Sequence, residues 1–376
     1  MKTLLIVTDR TLHTAPRVIR ALEALGGHFQ IHTVGKTAPL TPVQSHTDSR
    51  AIRSSVLAKA MNRLQRDVFG RYIPLIERYP VKRLRLEKLL RRVRPDLVMC
   101  HQHEDLPYLV HLKEKFGYKL VFNAHEYYPL EFDDWPGWSE TWQPYYEDLY
   151  RKCLPHVDLF INVCDSIREK CLEVFGKDSL VIPNAAFFSD LPPQKPKHPI
   201  RIMHHGGANP ERKIEEMIRL AELLGPDYEL TLMLVPNDPN YLNRLKEQAA
   251  SLSNVHFMNP VSFREIVPTL NRFDIGLYIL PPNSFNNAIA LPNKIYEFIQ
   301  AKLAIAIGPS PEMQRLVKHF DLGVVAADFS AESLAAGIRG MNREQLWQFK
   351  QNAIFAAGRV SAETYNRQLL QAFQAL

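Results

Sequence analysis

Short apolar segments alternate with amphipathic ones along the chain, and this alternation runs through the sequence twice. Residues 2–8 predict a buried strand, residues 17–25 have helical periodicity, and residues 29–34 predict the next strand. A strand–helix–strand order opens a doubly wound parallel sheet. Because the same order restarts at residues 200–205, we predict an α/β protein with two Rossmann-like domains, each built on a doubly wound parallel sheet.

A proline-rich segment separates the two runs. Residues 190–199 contain four prolines and no apolar periodicity, which is typical of a stiff linker. The length of 376 residues also suits two domains of comparable size. We therefore place the first domain at residues 1–189, the linker at residues 190–199 and the second domain at residues 200–355, followed by a C-terminal helix at residues 356–376.

The composition restricts the class of protein. Hydrophobic residues make up 46% and charged residues 23% of the chain, which indicates a globular protein rather than a disordered one. No apolar run approaches the ~20 residues of a membrane-spanning helix. The apolar N-terminus ends at Asp9 and Arg10, too early for a signal peptide, so we expect a cytoplasmic protein with reduced cysteines. Neither a Gly-x-Gly-x-x-Gly turn nor a Cys-x-x-Cys pair is present, which argues against a dinucleotide cofactor and a cysteine metal site.

Positive charge is concentrated in one segment. The chain has a net charge of +6, and residues 50–94 alone carry 14 lysine or arginine residues and three acidic residues. Apolar and aromatic residues recur in the same segment, and a basic amphipathic helix of this kind is typical of contact with an anionic membrane. One alternative is a core-packed helix with a solvated basic face. Another is a nucleic-acid surface, although no RNA- or DNA-binding signature accompanies the charge.

Polar residues follow two predicted strands of the first domain. His101 and His103 come after the strand at 96–100, and His125 and Glu126 come after the strand that ends at Ala124. Ligands bind at the carboxyl ends of strands in parallel sheets, so these residues are candidates for a binding site. A His-x-His pair also suggests a metal ion, but the adjacent acidic residues do not complete a ligand set. We predict no metal site.

A loop of small residues opens the first helix of the second domain. Gly206 and Gly207 follow the first strand, and Arg212 and Lys213 precede a helix at 214–224. Small residues let a backbone approach a phosphate, and cations at a helix start neutralise it. These four residues are therefore candidates for binding a phosphorylated ligand.

A second helix start carries complementary groups. Pro292 and Asn293 fit the first turn of a helix in which Lys294 and Glu297 lie one turn apart. The free N–H groups of a helix N-terminus attract an anion such as a diphosphate, and a carboxylate one turn further along suits sugar hydroxyls. The alternative is an ordinary helix with a Lys–Glu pair on its surface.

These motifs, in this order, resemble those of retaining glycosyltransferases of the GT-B fold. The resemblance is to the family 4-like group that includes sucrose synthase and many bacterial polysaccharide enzymes, and it extends from Thr8 to about residue 356. Glu297 matches the second glutamate of that group's Glu-x7-Glu motif, whereas Ile289 occupies the position of the first. His125 matches a histidine that faces the donor sugar in the family.

The resemblance implies that the two domains face a central cleft, with the acceptor on the first domain and a nucleotide-diphosphate sugar on the second. It also implies that the helix at 356–376 returns to the first domain. The implied catalytic residues are His125 and Glu297. The implied donor-binding residues are Gly206, Gly207, Arg212, Lys213, Pro292, Asn293 and Lys294. The implied residues of the acceptor side and its loop are Arg17, His101, His103 and Glu126.

The resemblance further implies transfer of a sugar to a glycan or lipid-linked acceptor, with retention of anomeric configuration and without a metal cofactor. We expect a role in surface polysaccharide synthesis at the inner face of the plasma membrane, where residues 50–94 contact anionic lipid and no nucleic acid is bound. Two alternatives remain. Ile289 is compatible with a non-catalytic homologue that binds a membrane or a partner protein, and a nucleotide-sugar 2-epimerase shares the same fold.

Overall fold

The computed structural model of the protein describes residues 1–51 and 80–376. The chain divides into two compact units. The first unit contains Met1–Pro183 and Asn366–Leu376, and the second contains Asn184–Tyr365. Among the described residues, no helix is both long and apolar enough to cross a membrane. Strands and helices are numbered below in chain order over these residues.

The first unit is built on a parallel sheet. In the described part of the chain this sheet has seven strands in the order β3-β2-β1-β4-β5-β6-β7. The strands are β1 (Thr3–Val7), β2 (Gln30–Gly35), β3 (Ser45–Asp48), β4 (Leu97–Cys100), β5 (Lys119–Asn123), β6 (Leu159–Asn162) and β7 (Leu180–Val181). The helices are α1 (Pro16–Leu25), α2 (Pro80–Val93), α3 (Leu106–Phe116), α4 (Trp138–Thr141), α5 (Gln143–Cys153) and α6 (Asp165–Phe175). The strand order reverses at β1 and β4, which is the doubly wound arrangement that the sequence predicts.

The second unit repeats this architecture. Its sheet, within the described residues, has six parallel strands in the order β10-β9-β8-β11-β12-β13. The strands are β8 (Ile200–Gly207), β9 (Tyr228–Val235), β10 (Val255–Met258), β11 (Ile275–Tyr278), β12 (Ala304–Ile307) and β13 (Gly323–Val325). The helices are α7 (Ile214–Leu224), α8 (Pro239–Ala249), α9 (Ile266–Leu270), α10 (Phe285–Ala288), α11 (Asn293–Gln300), α12 (Pro311–His319), α13 (Ala331–Gly340) and α14 (Arg343–Arg359). Strands β8 and β11 are neighbours, so their carboxyl ends meet at one edge.

Strands β1 and β12 contain continuous apolar runs, as expected for parallel strands with helices on both faces of the sheet. In β1, Leu4, Leu5, Ile6 and Val7 have no exposed surface. In β12, all four residues are at most 1% exposed. These two runs contain no polar side chain, and the polar residues that follow such runs collect at the carboxyl edges of the sheets.

The boundaries between the units differ from those expected from the sequence. The proline-rich residues 190–199 lie inside the second unit, which already begins at Asn184. Ala185 and Ala186 are buried in the second core. The Ser189 N–H donates to Gln300 Oε1 at 2.9 Å. The chain therefore packs on the second sheet before the prolines are reached.

The C-terminal boundary also differs from the expected residue 356. Helix α14 stays in the second unit through Arg359, because Ala353, Ala356 and Ala357 are buried in that core. A further helix, α15 (Ala362–Gln374), starts in the second unit, and its residues from Asn366 belong to the first. There Phe373 packs edge-on against Phe29, with ring centroids 6.0 Å apart.

Helix α2 is the described part of the basic segment. Leu86, Leu89 and Leu90 are buried, whereas Arg85 and Lys88 are exposed. This part of the segment is therefore a core-packed helix with a solvated basic face. The remainder of the 50–94 prediction falls mostly on residues 52–79, outside the described residues.

Lys82 differs from the other cations of helix α2. Its Nζ lies 2.6 Å from Asp105 Oδ1, and the two side chains are 15% and 6% exposed. The same ammonium lies 5.2 Å from the ring centroid of Tyr108. Lys82 therefore joins α2 to α3 and does not belong to the solvated basic face.

Gly276 lies inside β11, where the ring of Phe298 covers it. A Cβ at Gly276 would lie 2.4 Å from Phe298 Cγ, so the ring would have to move. We expect Gly276→Ala to lower the free energy of unfolding by about 1–3 kcal/mol, the usual cost of overpacking a core. Urea unfolding followed by circular dichroism measures this change.

Gly358→Ala is the control for that substitution. Gly358 lies in helix α14, and a Cβ there would meet no atom within 4 Å. Alanine is the better helix former, so this variant should gain up to about 1 kcal/mol. A similar loss of stability in both variants would contradict tight packing at Gly276.

Candidate functional site

Four side chains meet where β8 and β11 end, and we call His204, Arg212, Tyr278 and Lys294 the Tyr278 group. Arg212 Nη1 donates a hydrogen bond to the Tyr278 hydroxyl. Lys294 Nζ lies 3.8 Å from the centroid of the Tyr278 ring. The His204 ring stacks on the same phenol, with centroids 5.7 Å apart and planes 16° apart. The group thus brings two cations together on one aromatic ring.

The Lys294 ammonium is held in an unfavourable environment. Burial lowers the pKa of Lys294 well below its ordinary value, Arg212 lowers this pKa further, and Glu297 partly opposes the shift. A buried ammonium beside a guanidinium is stabilised when an anion binds to both. The Tyr278 group is therefore suited to an anionic ligand.

The two glycines of the predicted loop are the last residues of strand β8, rather than part of the loop. Gly206 has a φ of 143°, and a Cβ there would lie 3.1 Å from Lys294 Nζ. A Cβ at Gly207 would lie 2.5 Å from Asn237 Nδ2. Glycine at these positions leaves room for the Lys294 side chain and for the loop after β9.

The structure separates the two cations that were predicted to act together at the start of α7. Arg212 reaches the Tyr278 group, whereas Lys213 is an exposed residue with a φ of 49° that caps α7. The left-handed backbone at Lys213 turns the chain into the helix. Arg212 is therefore the better candidate for binding an anion.

Helix α11 begins one residue later than the sequence suggested. Pro292 is the residue before the helix, with an extended backbone, and Asn293 is the first helical residue. The Asn184 side-chain amide donates to Asn293 Oδ1. The start of α11 is thereby fixed to the segment that begins the second unit.

Glu297 is buried, with 5% of its surface exposed, so the alternative of a Lys–Glu pair on the surface does not hold. Glu297 Oε2 lies 3.2 Å from Nε2 of His205, a residue that the sequence did not single out. The two atoms are within ion-pair distance but do not form an aligned hydrogen bond. The His205 ring packs edge-on against Phe298 at 5.7 Å, which fixes it beside the carboxylate.

In the first unit, His101 and His125 form a pair. His101 Nδ1 lies 3.2 Å from His125 Nε2, and the rings meet edge to face. Burial, together with Arg17, lowers the pKa of His101 to about 3. Burial also lowers the pKa of His125 well below its ordinary value. Both rings are therefore neutral at pH 7, and a single proton occupies the contact between them.

Arg17 holds the backbone around His125. Its guanidinium donates to the carbonyl oxygens of Ala124 at 3.4 Å and His125 at 3.2 Å. Burial lowers the pKa of Arg17, and Glu126 is the main group that opposes this shift. Arg17 is therefore not a solvated arginine at the start of α1, but a residue that fixes the loop after β5.

His103 lies apart from the His101–His125 pair. Its ring packs on Tyr128 at 4.4 Å and on Tyr146 at 4.8 Å, and its Nε2 lies 3.6 Å from Glu104 Oε1. The His-x-His spacing therefore directs its two rings to different surroundings. Among the described residues, no group of three or more His, Cys, Asp or Glu side chains is arranged to hold a metal ion.

The four cysteines are free thiols, and all are buried in the first unit. Burial raises the pKa of Cys100 well above its ordinary value and that of Cys153 and Cys171 to about 12. Thiols of this kind are poor nucleophiles.

The loop after His125 also contains a carboxyl group with a perturbed pKa. Burial, together with the carboxylates of Glu126 and Glu104, raises the pKa of Glu131 to about 7. The folded state therefore binds this proton more tightly than the unfolded chain does. The resulting stabilisation is complete below the ordinary pKa of 4.5 and is lost as the pH rises to 7.

We therefore expect wild-type protein to lose stability between pH 4.5 and pH 7 relative to Glu131→Gln. The Gln variant, which carries no charge to desolvate, should be the more stable protein above pH 7. Urea unfolding at about pH 5 and about pH 8 tests this difference. Parallel pH profiles for the two proteins would show that Glu131 titrates normally.

Residues 16–186 match the family model of Glycosyltransferase Family 4. A comparison with curated proteins found no match.

Solved structures match along the whole chain. Sucrose-phosphate synthase from Thermosynechococcus elongatus has a TM-score of 0.73 at 14% identity, covering 100% of this chain and 99% of that one. Anabaena HepE in complex with UDP and glucose has a TM-score of 0.71 at 14% identity, covering 100% of both chains. An Escherichia coli structure described as trehalose-6-phosphate bound with UDP-2-fluoro glucose has a TM-score of 0.65 at 12% identity, covering 100% of this chain and 99% of that one.

At these identities the structural matches show the fold, and the family model adds a sequence match across most of the first unit. Together they confirm the GT-B fold that the sequence motifs indicated. The two parallel-sheet α/β units have the GT-B fold of these solved structures, and residues 16–186 match the model of Glycosyltransferase Family 4.

Proposed function

We propose that the protein transfers a sugar from a nucleotide-diphosphate donor to a glycan or lipid-linked acceptor, with retention of anomeric configuration. The observation that carries the proposal is the Tyr278 group, in which Lys294 and Arg212 contact the same buried ring at the edge where β8 and β11 end. Solved structures of the same fold contain UDP, UDP and glucose, or UDP-glucose. These ligands support a uridine diphosphate sugar as the donor.

The proposed chemistry depends on control of charge. Cleavage of the sugar–phosphate bond leaves negative charge on the diphosphate, and the Arg212 guanidinium and Lys294 ammonium are placed to stabilise it. Binding of the diphosphate also favours the charged form of Lys294, which burial disfavours in the free protein. Glu297, held beside His205, accepts hydrogen bonds from hydroxyl groups of the donor.

His125 is the proposed catalytic residue of the first unit, where it orients the transferred sugar. The contact with His101 orients the neutral ring of His125, and the hydrogen bond from Arg17 to the His125 carbonyl oxygen holds its backbone in place. In retention by this route the acceptor attacks on the face from which the phosphate leaves, and a phosphate oxygen takes the acceptor proton. A second carboxylate as nucleophile, as in retaining hydrolases, is then not required.

A thermal-shift screen against nucleotide-diphosphate sugars tests the donor. A ligand at 100 times its Kd stabilises the folded protein by about 2.7 kcal/mol, so a true donor stands out from its analogues. Incubation of that donor with candidate acceptors then tests for transfer. Absence of stabilisation by every nucleotide-diphosphate sugar would remove the proposal.

Ile289 supports a second candidate function. It occupies the position of the first glutamate of the family motif, and its apolar side chain has no carboxylate with which to bind a donor. The side chain is also only 8% exposed. A non-catalytic homologue would bind the nucleotide sugar without transferring or hydrolysing it. Donor binding without turnover, across a broad range of acceptors, would favour this candidate over the transferase.

We also propose that the protein works at the inner face of the plasma membrane, where the basic segment contacts anionic lipid. The solvated face of α2 supports this placement, and the test is sedimentation with vesicles that contain phosphatidylglycerol. Charge reversal at Arg85 and Lys88 should weaken binding, whereas reversal at Arg244 and Lys246, which are exposed on α8, should not. Equal binding by both double variants would exclude a specific role of this face.

A further inference from the structure

Tyr278 is the last residue of β11, and none of its surface is exposed. A tyrosine in a strand is usually part of a core, but this phenol contacts two cations with two different parts of its structure. Its hydroxyl accepts from Arg212, and its ring lies beneath the Lys294 ammonium. The separation of the two positive charges is therefore set by one rigid side chain.

We propose that Tyr278 is a positioning residue for diphosphate binding, which holds Arg212 through its hydroxyl and Lys294 through its ring. The inference rests on the proposed function, because it assigns Arg212 and Lys294 to a phosphorylated ligand. Tyr278 itself need not touch that ligand.

The surroundings of Tyr278 fix its ring in place. His204, also buried, stacks on the phenol, and His204 Nδ1 lies 3.0 Å from the carbonyl oxygen of Leu277. These contacts fix the orientation of the Tyr278 ring in the absence of a ligand. The attraction between an ammonium and an aromatic face increases as water is excluded, and the Tyr278 ring has no exposed surface. Both cations are consequently ordered in advance of binding.

The two contacts of Tyr278 can be separated by substitution. Tyr278→Phe removes the hydroxyl and keeps the ring, whereas Tyr278→Leu removes both and keeps an apolar side chain. Inorganic pyrophosphate is the first probe, since it carries the diphosphate charge without a nucleoside, and UDP is the second. We expect Tyr278→Phe to weaken binding of each probe by about 3- to 10-fold, the scale of one hydrogen bond. We expect Tyr278→Leu to weaken it by at least ~10-fold.

A double-mutant cycle distinguishes positioning from a general structural role. If the hydroxyl acts through Arg212, then Tyr278→Phe will weaken binding in wild-type protein but not in the Arg212→Ala variant. If the ring acts through Lys294, the additional effect of Tyr278→Leu will disappear in the Lys294→Met variant. Tyr228→Phe, a partly exposed tyrosine of β9, is the control and should leave both affinities unchanged.

The outcomes separate the inference from the proposed function. Suppose that Arg212→Ala and Lys294→Met weaken binding strongly, but that Tyr278→Phe binds like wild type or that the effects of the Tyr278 and cation substitutions are additive. The role of Tyr278 would then be overturned, and the proposed function would stay intact. Binding of pyrophosphate with the expected pattern, but no binding of any nucleotide sugar, would support Tyr278 and overturn the proposed donor. Absence of binding of both probes would overturn both.

Discussion

Arg212→Ala and Glu297→Gln are each expected to lower the rate of sugar transfer at least ~100-fold. In other enzymes, removal of one hydrogen-bonding group that is positioned for the transition state lowers kcat by about 100- to 1000-fold. In the proposed function, Arg212 stabilises the departing diphosphate, and Glu297 holds hydroxyl groups through a carboxylate that is buried beside His205. The measurement is the initial rate of transfer, or of donor hydrolysis if the acceptor is unknown, over a range of donor concentrations.

Arg219→Ala is the matched control for Arg212→Ala. Arg219 lies on helix α7, is 47% exposed and pairs with Glu222, so its removal should leave the rate unchanged. Thermal unfolding of each variant shows whether the fold is intact. Wild-type rates in both site variants would remove the assignment of the donor site to this edge of the sheet.

The largest expected effect on stability is at Lys350. We expect Lys350→Met to lower the free energy of unfolding by about 3 kcal/mol. The Lys350 and Asp274 side chains are both fully buried, and their charged atoms lie 3.3 Å apart. Lys350 Nζ also donates to the carbonyl oxygen of Phe273 at 2.7 Å. Removal of one member of a buried ion pair leaves its partner uncompensated, at a typical cost of about 3–5 kcal/mol. The lower end applies because Arg201 still contacts Asp274.

Urea unfolding measures this loss, and two further variants define its origin. Lys318→Met changes a lysine on helix α12 that bonds only to Gln314 among its described partners, and it should have little effect. Lys350→Met combined with Asp274→Asn removes both charges and should recover part of the loss. A double variant that is less stable than Lys350→Met alone would contradict the charge explanation.

The doubly wound sheets were predictable because fully buried parallel strands produce continuous apolar runs in the sequence. The polar residues after β4 and β5 were predictable for the same reason, since each run ends where the strand leaves the core. The boundaries were not predictable, because prolines mark a stiff segment and not the point at which packing changes. Residues 190–199 are rich in proline, yet the chain joins the second core before them.

The sequence proposed Lys294, Arg212 and Glu297 as site residues but did not single out Tyr278 and His205, which contact them in the structure. Both missed residues lie in strands, where an aromatic residue is normally assigned to the core. Their roles depend on which residues of β8, β11 and α11 lie side by side, and that register is a property of the folded chain. The spacing also could not predict that Glu297 is buried and Lys294 partly buried, because residues one turn apart face the same side in exposed and buried helices alike.

The placement of all four buried cysteines in the first unit has a practical consequence. The second unit contains no cysteine at all. A thiol introduced at Lys246 and another at Lys170 would react with fluorophores while the native sulfur atoms stay unlabelled. Single-molecule energy transfer between such dyes would then test whether added nucleotide changes the distance between the two labelled positions, and the native cysteines would not have to be removed first.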